Sequence, residues 1–293
     1  MKLRMIAFLL IAALLLGTLA GCDGGEREGY IPTPIILSGT LETYEFGVAF
    51  RQGNAALRDQ VDAALQVLAA DGTVSQIARF WFGYDPTIIR PNLYAVANLG
   101  EVRERTTFIV GFDVAAAPMS FFNPAGELVG FDIDLARAVA DYFDWTLELL
   151  PIQWGNREFE LASGNIDALW GGVTLAGRIP DRLYYTNPYM RNNQVFVTMS
   201  NSGIRNMRGV RGNVVAIRSD SAAEWALAEN ESFRDRLHEI EIHDSLCQAL
   251  LAFEQGYVDA VLMDEVAAIF YIRTGDTDAF GCRMHLAIDL TEQ

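Results

Sequence analysis

Cationic side chains are scarce in this chain. Of its 293 residues only Lys2 is a lysine, and every other basic residue apart from three histidines is an arginine. Acids outnumber bases 38 to 22, for a formal net charge of −16. That balance argues against nucleic-acid binding, because phosphate contacts need basic patches. It also makes any arginine placed in a pocket a distinctive choice. Histidine is equally sparse: His238, His243 and His285 sit at no metal-binding spacing. There is no nucleophile elbow and no phosphate-cradling loop. No catalytic residue, metal or cofactor is therefore expected. Beyond the N-terminal segment no run of about 18 apolar residues occurs, so no later stretch is long enough to span a membrane.

Half of the chain is apolar (51%), which is the composition of a globular protein with one large or two modest domains. Residues 1–22 read as a targeting segment rather than fold. Lys2 and Arg4 supply a positive start and Met5 to Leu16 an apolar run too short for a comfortable membrane span. The segment closes on Leu19-Ala20-Gly21-Cys22, which resembles the bacterial lipobox. That resemblance implies cleavage before Cys22, acylation of Cys22, and an extracytoplasmic protein tethered to the cell membrane. The alternative is an ordinary signal peptide with an incidental cysteine. An exported Cys247 and Cys282 either pair in a disulfide or stay as two buried thiols.

Residues 23–40 are rich in Gly, Pro and Thr and read as a flexible tether. Tyr44 to Phe50 is a strand candidate. Asn54 then precedes Leu57, Val61, Ala64, Leu65 and Leu68 at helical spacing, and Gly72 ends the run. A second short helix puts Val74, Ile77, Ala78 and Trp81 on one face. Residues 85–105 read as a linker. From Thr107 strands and helices alternate: strands at 107–113, 146–150 and 166–170, helices at 131–143 and 158–163. A second set follows, with strands at 194–199, 213–217, 258–263 and 284–288 and helices at 222–228, 245–255 and 265–273. Between the sets, Tyr185-Thr186-Asn187-Pro188-Tyr189 reads as a hinge crossing. The expected fold class is α/β, two lobes each with a mainly parallel sheet flanked by helices and a ligand cleft between them.

Several short strings recur here in the order and spacing of the polar amino-acid solute-binding proteins, extracellular family 3, whose fold is the type II periplasmic-binding-protein fold. They are Phe108-Ile109-Val110-Gly111-Phe112-Asp113, Pro118-Met119-Ser120-Phe121, Gly130-Phe131-Asp132-Ile133-Asp134-Leu135, Gly164-Asn165-Ile166-Asp167-Ala168, Gly172-Val173-Thr174, Asn187-Pro188-Tyr189 and Val258-Asp259-Ala260-Val261 with Asp264. One piece resembles the family out of order. Phe46 to Asn54, Ala70-Asp71-Gly72-Thr73 and Trp81-Phe82-Gly83 are similar to the family's C-terminal end, yet precede the rest. This implies a circular permutation; a tandem fusion reduced to one tail plus one truncated copy is the rival. The expected division is lobe 1 at 41–188 and lobe 2 at 189–293. Within lobe 1, residues 44–84 correspond to the family's C-terminal segment, 85–105 to a new linker and 106–188 to its N-terminal part. A single covalent crossing between lobes is then expected.

The resemblance also implies a function and a site. The function is to bind a polar amino acid between two lobes, as a monomer, and pass it to the permease of an ABC transporter whose separate ATPase uses ATP. An amino-acid carboxylate wants an arginine fork and hydroxyl or backbone donors, and its ammonium wants a carboxylate. Arg178 fits the fork, with Arg182 as its alternative, and Gly172 and Thr174 add backbone and hydroxyl contacts. Asp264 fits the ammonium, or else caps the helix that follows it. Asp113 and Trp154 would face the ligand side chain, Trp154 otherwise lying in the lobe core. Arg218 and Ser221, with the helix after Ser221, would face the ligand from lobe 2. Asp220 stands where a glycine is usual, and Ala116 where an aromatic is. Asp132 and Asp134 are explained by their place at a helix start. Two other classes remain open: an ectodomain partner that senses amino acids, and a dehydratase-like enzyme on the same fold.

Overall fold

A computed structural model describes residues 31–92, 105–175, 183–275 and 282. In chain order the elements used below are β1 (Pro34–Ile36), β2 (Glu42–Phe46), β3 (Ala49–Arg51), α1 (Ala55–Ala70), α2 (Thr73–Phe82), β4 (Thr107–Phe112), β5 (Ala115–Ala116), β6 (Ser120–Phe122), β7 (Leu128–Val129), α3 (Phe131–Tyr142), β8 (Thr146–Pro151), α4 (Arg157–Ser163), β9 (Ala168–Leu169), β10 (Leu183–Tyr185), β11 (Met190–Met199), β12 (Val214–Arg218), α5 (Ala222–Glu229), α6 (Glu231–Arg234), β13 (Glu239–His243), α7 (Leu246–Glu254), β14 (Ala260–Asp264) and α8 (Glu265–Thr274).

Two sheets organise these elements, as the α/β alternation requires. The first runs β10-β3-β9-β4-β8, with β4 parallel to both β8 and β9 and β3 antiparallel to its neighbours. The second runs β1-β11-β14-β12-β13, with β2 also paired to β11. β5, β6 and β7 form a small third sheet. The strands of the second sheet show why both its faces carry helices. Along β12 and β14, Val215, Ile217, Ala260 and Leu262 pack with Leu227 and Phe233. The alternate residues Ala216, Val261 and Met263 pack with Leu250, Phe253 and Val266 instead. A period of two with both parities buried is the mark of a sheet covered on two sides.

In the first lobe α1 presents Val61, Ala64, Leu65 and Leu68 toward α2 and α3, where Val74, Ala78, Phe82, Phe131, Leu135 and Val139 close the core. These are i, i+3/i+4 stripes, and their burial rather than propensity is what holds each helix. The far face is covered by α4 through Leu161, packed with Ala49, Ile166 and Leu169.

The structure departs from the sequence expectation at several places, among them β11, which begins at Met190 and not at 194. The segment expected as one strand from Tyr44 to Phe50 is two strands in different sheets: β2 pairs with β11, and β3 lies between β9 and β10. The turn occurs at Gly47-Val48. The Gly47 N–H donates to the Val173 carbonyl at 3.1 Å, and a Cβ there would fall 2.8 Å from Leu175. The chain therefore passes between sheets twice, at Phe46–Ala49 and at Tyr185–Met190, not once, and residues 42–46 belong with the second sheet. The stretch expected as tether is part strand. β1 pairs Pro34–Ile36 with Val197–Met199, and Leu37 is buried. β13, an Ile-alternating run read as neither strand nor helix, pairs in parallel with β12. The expected strand at 284–288, residues 23–30 of the tether and most of the 85–105 linker lie outside the described residues. Cys247 and Cys282 are joined in a disulfide, which settles that alternative. Among the described residues no helix is long and apolar enough to cross a membrane.

Candidate ligand-binding cleft

Parallel strands from both sheets end at one place. β4 leads into Asp113 from the first sheet, while β12 and β14 end in Arg218 and Asp264 from the second. The C-terminal ends of such strands are where open α/β sheets gather ligand contacts. Here they meet at a cavity of about 170 Å³ whose walls include Asp113, Trp154, Gly172, Thr174, Arg218, Ser221 and Asp264. All seven are sequence candidates, and the fold brings them together. Arg178, its alternative Arg182, and Cys22 lie outside the described residues.

Asp264 occupies the N-cap position of α8 but makes no side-chain cap bond. Its carboxylate instead accepts from the amides of Asn192 and Gln194, two residues apart on β11. Burial pushes its pKa up, against those two hydrogen bonds and the nearby charge of Arg218. Asn192 serves the cap in its place: its oxygen accepts the Val266 N–H at 3.4 Å. Gln194 is fully buried, and its own oxygen has no partner among the described residues. Asp264 and that orphaned oxygen together form an acceptor pair suited to an ammonium group.

Arg218 reaches back across the cleft. Its Nη2 donates to the Asp113 carboxylate, and its Nη1 to the Ala115 carbonyl at 3.4 Å. A second bridge joins Arg157 at the start of α4 to Asp220 at 2.8 Å. Arg157 also lies over the Trp154 ring, 4.9 Å from its centroid. Trp154 thus stands at the cavity wall while also packing against the core that contains Leu161, Ile166 and Leu169. Asp220 adopts a left-handed backbone (φ 49°), the conformation a glycine would supply more readily. Ser221 caps α5, accepting the Glu224 N–H at 3.4 Å, and donates to the Arg218 carbonyl at 2.6 Å. Its hydroxyl therefore shapes the loop that carries Arg218.

Gly172 lines the cavity, but its N–H is already used. It donates at 2.7 Å to Asp132, which also accepts from the Tyr189 hydroxyl at 2.8 Å. Asp132 is fully buried and is not simply a helix-start acid. Burial pushes its carboxyl pKa up to about 7, against these hydrogen bonds. It anchors the strand end that carries Gly172 and Thr174 to the second crossing between sheets.

Sequence reading missed Asn192, Gln194, Arg157 and the anchoring role of Asp132. A signal for the first pair exists: two amides at i and i+2 lead directly into the apolar second half of β11, so they share a face and, continuing a buried strand, need buried partners. Arg157 is marked locally only by its spacing of three from Trp154, while its ion-pair partner Asp220 lies 63 residues on.

Residues 108–280 match the bacterial extracellular solute-binding proteins, family 3, and the chain belongs to that family. It is similar to the L-cystine-binding protein TcyJ of Escherichia coli (strain K12), 27% identical over 182 residues, 61% of this chain and 67% of that protein. It is also similar to a cyclohexadienyl dehydratase of Pseudomonas aeruginosa, 25% identical over 88 residues, 30% of this chain and 33% of that enzyme. Among solved structures, a histidine-bound ABC uptake transporter substrate binding protein from Streptococcus pneumoniae superposes with a TM-score of 0.54 at 30% identity, over 58% of this chain and 70% of that one. The type II periplasmic-binding-protein fold expected from the sequence is the fold observed.

Proposed function

We propose that this chain is the extracytoplasmic, lipid-anchored substrate-binding protein of an ABC importer. It clamps one amino acid between its two lobes and delivers it to a membrane permease. The observation that carries the reading is the meeting, at one cavity, of Asp264 with the orphaned Gln194 oxygen on one lobe and the Gly172–Thr174 strand end on the other. Asp264 and Gln194 take the ligand ammonium. Arg178, three residues beyond Leu175, takes the carboxylate with Thr174. The ligands in the names of the relatives, cystine and histidine, are amino acids. Anchoring rests on Leu19-Ala20-Gly21-Cys22. The chain is read as a binder and not an enzyme because the relatives it matches over about 60% of its length are named as binding proteins. The dehydratase relative favours a second reading, which turnover of a bound ligand would reveal.

The test is a thermal-shift screen of the protein with Cys22→Ser against the twenty amino acids and cystine. A ligand at about 100 times its dissociation constant adds about 2.7 kcal/mol of stability. A shift by a few related amino acids, lost in Arg178→Ala, is expected. No shift from any of them sinks the amino-acid reading.

We also propose that the chain is a circular permutation of its family. β3 stands inside the first sheet although it precedes the family-matched stretch that begins at residue 108. A chain rearranged so that residues 41–92 follow residue 293 should fold and bind as the natural order does. Failure of that chain to fold favours a worn tandem fusion.

A further inference from the structure

Asp113 and Arg218 come from different sheets and pair across the cleft. Asp113 spends one oxygen on the Ala115 N–H at 2.9 Å and the other on Arg218 Nη2. The two side chains are 8% and 19% exposed, so their attraction is weakly screened by solvent. Arg218 Nε is buried and has no partner among the described residues.

We propose that Arg218 is a specificity-determining residue: by neutralising Asp113 it restricts the cleft to amino acids whose side chains carry no net charge, and excludes arginine and lysine. This rests on the amino-acid reading above and narrows it. With Asp264 and Gln194 given to the ligand ammonium, Asp113 is the remaining buried carboxylate in the cavity wall. Unpaired, it would reward a cationic side chain. Paired, it offers such a side chain nothing unless Arg218 is displaced, and a second cation beside Arg218 is repelled. An anionic side chain meets Asp113 in the same way. A neutral polar side chain can use the free Nε donor without separating the pair. The other charges nearby do not change the balance. Arg157 is paired with Asp220, and Glu158 is exposed at the cavity margin. Asp264 is committed to the ammonium.

Two substitutions read the pair from opposite sides. Arg218→Gln uncovers Asp113, and Asp113→Asn leaves Arg218 as a net positive charge. Affinities for the twenty amino acids and cystine would be measured by titration calorimetry at pH 8, where free histidine side chains are neutral. The wild type is expected to bind neutral side chains and not arginine or lysine. Arg218→Gln should gain arginine or lysine by about tenfold or more, and Asp113→Asn should gain aspartate or glutamate by a similar factor. If Arg218→Gln does not fold, the Asp113→Asn arm decides. Arginine or lysine bound by the wild type as tightly as any neutral amino acid overturns the proposal and leaves the amino-acid reading standing. So does the absence of any gain in a folded variant. Binding of no amino acid by the wild type or either variant overturns both.

Discussion

The Gly172 amide donates to the buried carboxylate of Asp132 at 2.7 Å, and Tyr189 holds the same carboxylate at 2.8 Å. Three strings far apart in the sequence thereby become one joint: the start of α3, the strand end that carries Thr174, and the second crossing between sheets. Asp132→Ala would leave the amide and the hydroxyl without their partner. We expect a stability loss of about 2–3 kcal/mol, read by denaturant unfolding, with weakened ligand binding.

The same carboxyl has a pH signature. Its pKa rises from 3.8 to about 7 in the folded protein, chiefly by burial. Between those values the folded state keeps a proton that the unfolded chain releases. Its contribution is therefore favourable below 3.8 and is lost as pH rises toward 7. Asp132→Asn should remove that fall, so the stability difference between wild type and variant changes across this window and is flat above it. Urea midpoints at several pH values check this; parallel curves would mean the carboxyl is not perturbed.

The Cys247–Cys282 disulfide ties α7 to a residue 35 positions further on. Closing a loop of that length removes unfolded-chain entropy worth roughly 3–4 kcal/mol. Cys282→Ser, or reduction of the wild type, should lower the unfolding free energy by up to that amount. Reduction should have no further effect on the variant.

Asp220 presents two opposing small terms. Its ion pair with Arg157 is half exposed on the Asp220 side (51%), which limits it to about 0.5 kcal/mol. Its left-handed backbone costs an L-residue about 1 kcal/mol. Asp220→Gly is expected to be neutral or slightly stabilising in thermal denaturation. Gly130→Ala is the contrasting case. At φ 144° a Cβ would lie 2.2 Å from the Met119 carbonyl oxygen, which is backbone and does not move aside. A loss of about 3 kcal/mol or more is expected.

Periodicity made the helices legible. The Leu57–Leu68 stripe and the Phe131–Val139 stripe each report a buried face directly, and both helices fall within two residues of their expected ends. The cleft candidates were legible because strand ends in an α/β alternation have a defined place. What escaped depends on which edge a strand joins. Glu42–Phe46 and Ala49–Arg51 look continuous in the sequence, and only the close contact at Gly47 divides them between sheets. Asp132 reads locally as a helix-start acid because its true partners, Gly172 and Tyr189, are 40 and 57 residues away.

The most direct test of the clamp is calorimetric titration of the wild type with the amino acid that shifts it most. The same titration is run with the amine that lacks its carboxylate and the acid that lacks its ammonium. Recognition of both charged ends through Arg178 and Asp264 requires both analogues to bind at least about a hundredfold more weakly. Either analogue binding as tightly as the amino acid would contradict the account.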